Sequence, residues 1–339
     1  MRPEVSPSRP AGREVVGEIL LFSAGWAREV IDLWNAALGD AFPMGDRLFL
    51  QNTVRDPHFE ADGCWVVRAP RGGQVVGFCL AKTAREPLGA DGLMADRGWV
   101  STLVVHPAVR RRGLGGRLLA RAETYLRGRG RKRAIFGGDP AHFFPGIPVS
   151  DAALAFFAAN GYRLRGDAYD LRRSLEAYST PPEVEAVLAA HPEVEIRPLR
   201  SGEERGALDF LDEAFPGRWR YTLGRFLSGG GAIGDVIGVL QGEAVRGFAQ
   251  IFHPNSQWIG PSIAWTAESS TSTGGLGPMG MAPALRGRGL GLALVDRSIQ
   301  HLRTLGVREM VIDWTILIGF YGRLGFVPWR HYRHGEKVL

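Results

Sequence analysis

Residues 105–119 read Val-His-Pro-Ala-Val-Arg-Arg-Arg-Gly-Leu-Gly-Gly-Arg-Leu-Leu, and residues 281–295 read Met-Ala-Pro-Ala-Leu-Arg-Gly-Arg-Gly-Leu-Gly-Leu-Ala-Leu-Val. Each stretch contains Arg-x-x-Gly-x-Gly, preceded by an apolar, strand-like run and followed by an amphipathic helical pattern. A glycine-rich turn that opens a helix is a phosphate-binding device, because backbone N–H groups point outward there and the helix N-terminus favours negative charge. Its recurrence marks an internal duplication, so the chain is read as two copies of one unit.

The bulk numbers agree. At 339 residues the prior is two domains, and 45% apolar residues can fill two cores. Cys64 and Cys79 lie in apolar runs, which speaks against a disulfide framework or a metal site and suits a reducing compartment. Residues 1–15 mix prolines and arginines without an apolar segment of the kind a secretory signal needs, and are expected to be disordered. No run reaches the ~18 apolar residues of a membrane span. The expectation is a cytoplasmic protein without a membrane partner. The net charge of +6 comes almost entirely from arginine, the lysines being Lys82, Lys132 and Lys337. The densest run, Arg127 to Arg133, falls where the first glycine-turn helix should end, and cations there complement the helix dipole.

Working outward from the two phrases, periodicity places a helix over 25–40 and a hairpin over 64–68 and 74–82. A strand follows over 98–105, a helix over 114–126, a strand from 133, a helix over 151–160 and a last strand over 168–175. Prolines 181, 182 and 192 mark a linker over 176–192 with a short helical stretch. The order then restarts: strand from Glu195, helix 203–215, hairpin 235–240 and 244–252, strand 274–281, helix 290–302, strand 309–314, helix 317–324. The expected boundaries are 16–175 and 193–339. Each half should be a mixed, mostly antiparallel α/β sheet with one central parallel strand pair, since a crossover helix joins those two strands. The first half carries about a dozen extra residues, 136–148.

The pattern of Arg110-x-x-Gly113-x-Gly115, helix, strand and then Phe156-Phe157-Ala-Ala-Asn-Gly161-Tyr162 resembles the GCN5-related N-acetyltransferase (GNAT) superfamily. Arg286-x-x-Gly289-x-Gly291 followed by Phe320-Tyr321-Gly-Arg-Leu-Gly325-Phe326 resembles it more closely. The tandem arrangement is similar to that of mycothiol-synthase-like two-domain acetyltransferases, in which the C-terminal half is the active one. The resemblance implies acetyl-coenzyme A as cosubstrate, no metal, and a small-molecule primary amine as acceptor. It implies coenzyme contacts from Leu103, Val105, Arg110, Arg111, Gly113, Gly115 and Gly116 in the first half. In the second half it implies them from Met279, Met281, Arg286, Gly287, Arg288, Gly289 and Gly291. A Rossmann site does not fit, because Gly287-x-Gly289-x-Gly291 lacks the final spacing and no acidic strand end follows.

Acetyl transfer needs a neutral amine, a stabilised oxyanion and a protonated leaving thiolate. The resemblance places Tyr321 as the proton donor, where the first half has Phe157. A phenol of pKa ~10 protonating a thiolate of pKa ~8.5 runs uphill by about 1.5 units, roughly 2 kcal/mol. Asp313, at the end of the strand before the Tyr321 helix, is the first choice for the base, with Glu268 and His253 behind it. Backbone N–H groups near Met279 to Met281 are the expected oxyanion donors, on a strand whose Gly277-Pro278 suggests a bulge. Trp314 stands where the family often has Asn. Trp258, Trp265, Trp314, Trp329, His331 and Tyr332 raise the idea of an amino-sugar acceptor. Alternatives stay open: two active halves, a non-catalytic acetyl-CoA sensor or nucleic-acid binder, and a monomer or a homodimer.

Overall fold

The structure, a computed structural model, describes residues 17–70, 73–267 and 270–339. The expected disorder of residues 1–15 lies outside the described residues. The first half runs β1 (Glu18–Leu21), α1 (Ala27–Leu38), α2 (Asp46–Asn52), β2 (Cys64–Arg68), β3 (Val75–Lys82), β4 (Arg97–Val105), α3 (Leu114–Gly128), β5 (Arg133–Phe136), β6 (Ile147–Pro148), α4 (Asp151–Ala159) and β7 (Arg163–Ser174). Helix α5 (Pro182–Ala190) lies within the linker stretch. The second half runs β8 (Val194–Pro198), α6 (Glu204–Ala214), α7 (Arg218–Ser228), β9 (Val236–Gln241), β10 (Ala244–Phe252), β11 (Thr273–Met281), α8 (Leu290–Thr304), β12 (Glu309–Thr315), α9 (Ile318–Gly322) and β13 (Val327–Val338).

Each half has the expected mixed sheet with one parallel pair. Arg97–Val100 of β4 pair with Arg133–Phe136 of β5, and Thr273–Leu276 of β11 pair with Glu309–Ile312 of β12. The two sheets are one, however. The strand order is β1-β2-β3-β4-β5-β13-β7-β12-β11-β10-β9-β8. The last strand of the second half therefore lies against β5 of the first, and the last strand of the first half lies against β12 of the second. The two exchanged strands pair antiparallel with each other, from Val327↔Arg172 to Glu336↔Arg163. Over part of their length both strands are paired on both sides, β7 by β13 and β12, and β13 by β7 and by β5 and β6.

Packing seals that join. Tyr332 of β13 is fully buried, and its hydroxyl donates to Asp170 Oδ2 of β7 at 2.7 Å. The segment 136–148 folds over it: Phe144 stacks on Trp34 of α1 (5.5 Å between ring centres, 6° between planes) and on Trp265 of the second half (5.2 Å). Cys64 and Cys79 are free and buried, and burial pushes both thiols up. Arg127, Arg129 and Arg133 of the basic run meet Glu123, Glu60 and Asp96 respectively. Helices α2 and α7 have no counterpart in the periodicity reading. In α7, Arg218-Trp-Arg-Tyr alternates basic and aromatic residues with period two, which imitates a strand.

Because β7 and β13 each complete the other half's sheet, unfolding should be a single event. Urea titrations followed by far-ultraviolet circular dichroism and by tryptophan fluorescence should coincide in one transition. Two separated transitions would contradict the structure.

Candidate active site

The parallel strands β11 and β12 run together as far as Leu276 and Ile312 and then part. At that point β11 bulges: Gly277 and Pro278 together oppose the single residue Gln250 of β10. A cavity of about 570 Å³ opens there between the two halves of the chain. Met279, Asp313, Trp314 and Tyr321 line it from the second half, as do residues of α7. Asn52, Asp56 and His142 line it from the first.

Asp313 follows the last paired residue of β12 and turns toward the bulge. Gly277 makes room for it, since a methyl group there would collide with Asp313 Oδ1. That oxygen is buried and has no hydrogen-bond partner among the described residues. Burial, reinforced by the charge of Asp170, raises the Asp313 carboxyl to about 7. Asp170 comes from the exchanged strand β7; burial lifts its carboxyl to about 6, and it accepts from Tyr332 and from the backbone N–H of Trp314 at 3.3 Å. Tyr321 is 5% exposed. Burial first, and then the charge of Asp313, push its phenol upward.

The glycine turns explain the spacing of the two sequence motifs. Phe156 and Phe320 pack over Gly115 and Gly291, where a β-carbon would lie 3.2 and 3.4 Å from their rings. The next residue in each helix, Phe157 or Tyr321, is thereby turned inward. Gly289 caps α8 at φ +80° and faces Val187 of α5, whose Cγ2 would be 2.6 Å from an added β-carbon. Gly287 adopts φ +75° over open space. The unpaired first-turn N–H groups of α8, reached past bare glycine backbone, fit a pyrophosphate. In the first half Arg111 must take the same left-handed conformation (φ +64°) where the second half has Gly287. Arg110 and Arg286 are partly committed: each Nε donates at 3.0 Å to the carbonyl of the preceding strand's last residue, Val105 or Met281. Arg111 and Arg288 are exposed. Met279 reaches the cavity, whereas Met281 packs in the core under α8. Leu103 and Val105 occupy the corresponding places on β4, and Gly116 follows Gly115 in α3.

The first half opens in the same register, after Val100 and Phe136, but its gap is closed. Gly137 stands where Asp313 stands, and its N–H donates to Val100 O at 2.9 Å. Lys82 Nζ lies 2.7 Å from both Asp56 Oδ2 and Asp139 Oδ2, and Ser101 donates to Asp139 Oδ1 at 2.9 Å. Burial opposes the Lys82 charge, yet the two carboxylates hold its pKa above the usual value. Arg218 of α7 clamps the inserted segment from the other side, donating to the carbonyls of Gly138 (2.5 Å) and Asp139 (2.6 Å). The insertion thus packs the join and also walls the cavity through Pro140, Ala141 and His142.

Other candidates are placed elsewhere. His253 Nε2 bonds Asp235 at 3.1 Å, away from the cavity, and Glu268 lies outside the described residues. Of the six aromatic residues considered for a sugar, Trp258 and Trp314 line the cavity. Trp265 and Tyr332 are core, His331 stacks on Tyr169 beside Asp167, and Trp329 lies under Arg330. No cluster of three or more metal-ligating side chains occurs among the described residues, and no helix among them is long and apolar enough to cross a membrane. Sequence reading missed Asp170 and Arg218, because only the strand exchange and the fold of α7 bring them to the gap, and it missed Gln250, a single polar residue in the apolar run of β10.

Comparison with known proteins agrees with this geometry. The acetyltransferase (GNAT) family matches residues 27–144 and 207–326. A mycothiol acetyltransferase of Geodermatophilus obscurus is 30% identical over 255 residues, covering 68% of this chain and 73% of its own. One from Thermobispora bispora is 27% identical over 282 residues, covering 76% and 78%. The structure of a GCN5-related glucosamine N-acetyltransferase region in a fungal multi-domain GH3 β-N-acetylglucosaminidase superposes with a TM-score of 0.83 at 24% identity. That likeness covers 94% of this chain and 38% of the longer protein. With two family matches in one chain, each on its own glycine turn, the protein belongs to the acetyltransferase (GNAT) family as a tandem N-acetyltransferase that draws on an acyl-coenzyme A.

Proposed function

We propose that the chain transfers an acetyl group from acetyl-coenzyme A to the primary amine of a small molecule, and that the chemistry runs in the C-terminal half alone. One observation carries this reading. Asp313 and Tyr321 line one cavity at the open gap between β11 and β12, whereas Gly137 and Phe157 stand at the matching points of a gap filled by Lys82 and its carboxylates. The first half then serves as scaffold and cavity wall.

In this reading the thioester lies in the gap, with its carbonyl toward the backbone N–H of Met279 and its pyrophosphate over Gly287–Gly291. A carboxyl raised to about 7 is a better proton acceptor at neutral pH than an ordinary aspartate. Asp313 takes the proton of the acceptor's ammonium, and the freed amine attacks the thioester carbonyl. Tyr321 gives its proton to the departing thiolate, and the phenolate recovers a proton from the attacking nitrogen, which loses its second proton as the amide forms. The two events are coupled: once Asp313 is protonated, the charge that helps to hold Tyr321's proton is gone, so the phenol becomes a better acid as it is needed.

kcat/KM should rise with pH through an inflection near 7 that Asp313→Asn abolishes, together with a loss of about 10²–10⁴-fold. Tyr321→Phe should lower kcat by at least tenfold and leave the KM for acetyl-coenzyme A unchanged. Thiol release assayed across pH 5.5–9 measures both. Wild-type rates in both variants would refute the assignment.

The same group predicts a stability effect. The folded carboxyl titrates near 7 and the unfolded one near ~4. Between those values the folded state holds more protons, so the Asp313 contribution to stability falls as pH rises, and stays lost above pH 7. Asp313→Asn removes that slope. Thermal midpoints should favour the variant over wild type more at pH 8 than at pH 4.5; an equal difference at both would contradict the raised carboxyl.

A further inference from the structure

We propose that the acceptor cleft takes a primary amine carried on an aromatic ring or a similarly flat apolar body, with one hydrogen-bonding group that the side-chain amide of Gln250 receives. The inference rests on the reading that the cavity at Asp313 is the acceptor site, and adds the class of acceptor.

The Gln51 amide is used at both ends by the backbone of Ile259, at 2.8 and 3.0 Å. Asn52 donates to His142 O at 3.0 Å and accepts from Gln51. Tyr221 donates to Glu86 at 2.5 Å and lies 3.0 Å from His58 Nε2. The guanidinium of Arg218 is occupied by the inserted segment. Gln250 differs. It is 3% exposed, lines the cavity, and its amide has no protein partner among the described residues.

Its position shows why this is unusual. Gln250 shares a strand face with Phe248 and Phe252, both buried in apolar packing, and it opposes the Gly277-Pro278 bulge that forms the gap. In the free protein that amide faces the cavity, where water can serve it, and an occupant that displaces the water must replace its hydrogen bonds. Such a group aimed into a cavity is a binding feature, and it can serve one or two hydrogen bonds. Around it stand the rings of Phe226, Phe252 and Trp258, which match a flat apolar body. A polyhydroxylated amine such as glucosamine would bring several hydroxyls into a cleft where, beyond Gln250 and the proposed base Asp313, the polar side chains named above are already paired, and each unmet hydroxyl weakens its binding.

Thiol release is measured for tyramine, tryptamine, 2-phenylethylamine and glucosamine with acetyl-coenzyme A, using wild type and Gln250→Leu. Titration calorimetry of the same amines reads the cleft where turnover is absent. At least one ring-bearing amine should exceed glucosamine tenfold or more in kcat/KM, or in affinity where no thiol is released. Gln250→Leu should raise the KM of tyramine or tryptamine about tenfold, spare 2-phenylethylamine, and leave the thermal midpoint of the free protein no lower than that of wild type. Glucosamine performing as well as every ring-bearing amine would overturn the inference. So would a Gln250→Leu variant with a lowered midpoint and unchanged KM values, since the amide would then be structural. Glucosamine acetylation that matches every ring-bearing amine and disappears in Asp313→Asn would refute the acceptor class while leaving the site reading intact. Thiol release untouched by Asp313→Asn and Tyr321→Phe would refute the site reading itself.

Discussion

The antiparallel pairing of β7 with β13 is the contact on which the rest of the molecule depends. Each strand ends one half in sequence and completes the other half in space. Where the ladders of β7 and β13 meet their outer neighbours, backbone groups on both sides are satisfied, and an unpaired strand inside the join would leave buried polar groups unmet. The pairing also fixes the chemistry. The neighbouring pairing of β7 with β12, which opposes Leu171 to Ile312, sets Asp170, a first-half residue, beside Asp313, and the Tyr332 hydroxyl of β13 holds Asp170 in place at 2.7 Å. The environment of the proposed base is thus built by the half that lacks a base of its own.

Duplication explains the likeness of the halves, and local packing explains why they differ. Both retain the same register where the parallel strands part, and both place an aromatic ring over the second motif glycine. In the first half the opening became a buried ion-paired cluster. Lys82 there is fully buried between two carboxylates, an arrangement in which removing any one partner would leave an uncompensated charge. Such a cluster cannot be vacated for a thioester without heavy cost. The insertion that supplies Asp139 also supplies the wall of the second-half cavity, and Arg218 joins the two by bonding its carbonyls. Closing one site and shaping the other are one structural change.

What was legible in the sequence follows from range. The glycine turns, the flanking helices and the hairpins rest on local periodicity and appear where they were expected. The strand exchange was not legible, because β7 and β13 have the same local pattern whether they close their own sheet or the neighbour's. Asp313 and Tyr321 could be named because motif spacing places them. Asp170 could not, since its partners, Tyr332 and Trp314, are more than 140 positions away. Gln250 was hidden for another reason: a single polar residue in an apolar strand run carries no sign of which face it takes or what opposes it.

The raised Asp313 carboxyl and the raised Tyr321 phenol also constrain each other. Burial is the first cause of both shifts, so any opening of the cavity to water would relax both toward their ordinary values. A wet site would have a weak base and a phenol that still cannot outmatch a thiol. A closed site has a stronger base, and a phenol whose extra burden is partly the charge that proton transfer to Asp313 removes. The exclusion of water therefore favours the transfer only when base and acid act in sequence within one enclosure. The first half contributes to that enclosure through His142 and the inserted segment, and through Asp170 beneath the base. On the proposed assignment, what the first half supplies is a low-dielectric wall, which a single half with an open edge at β12 would not have.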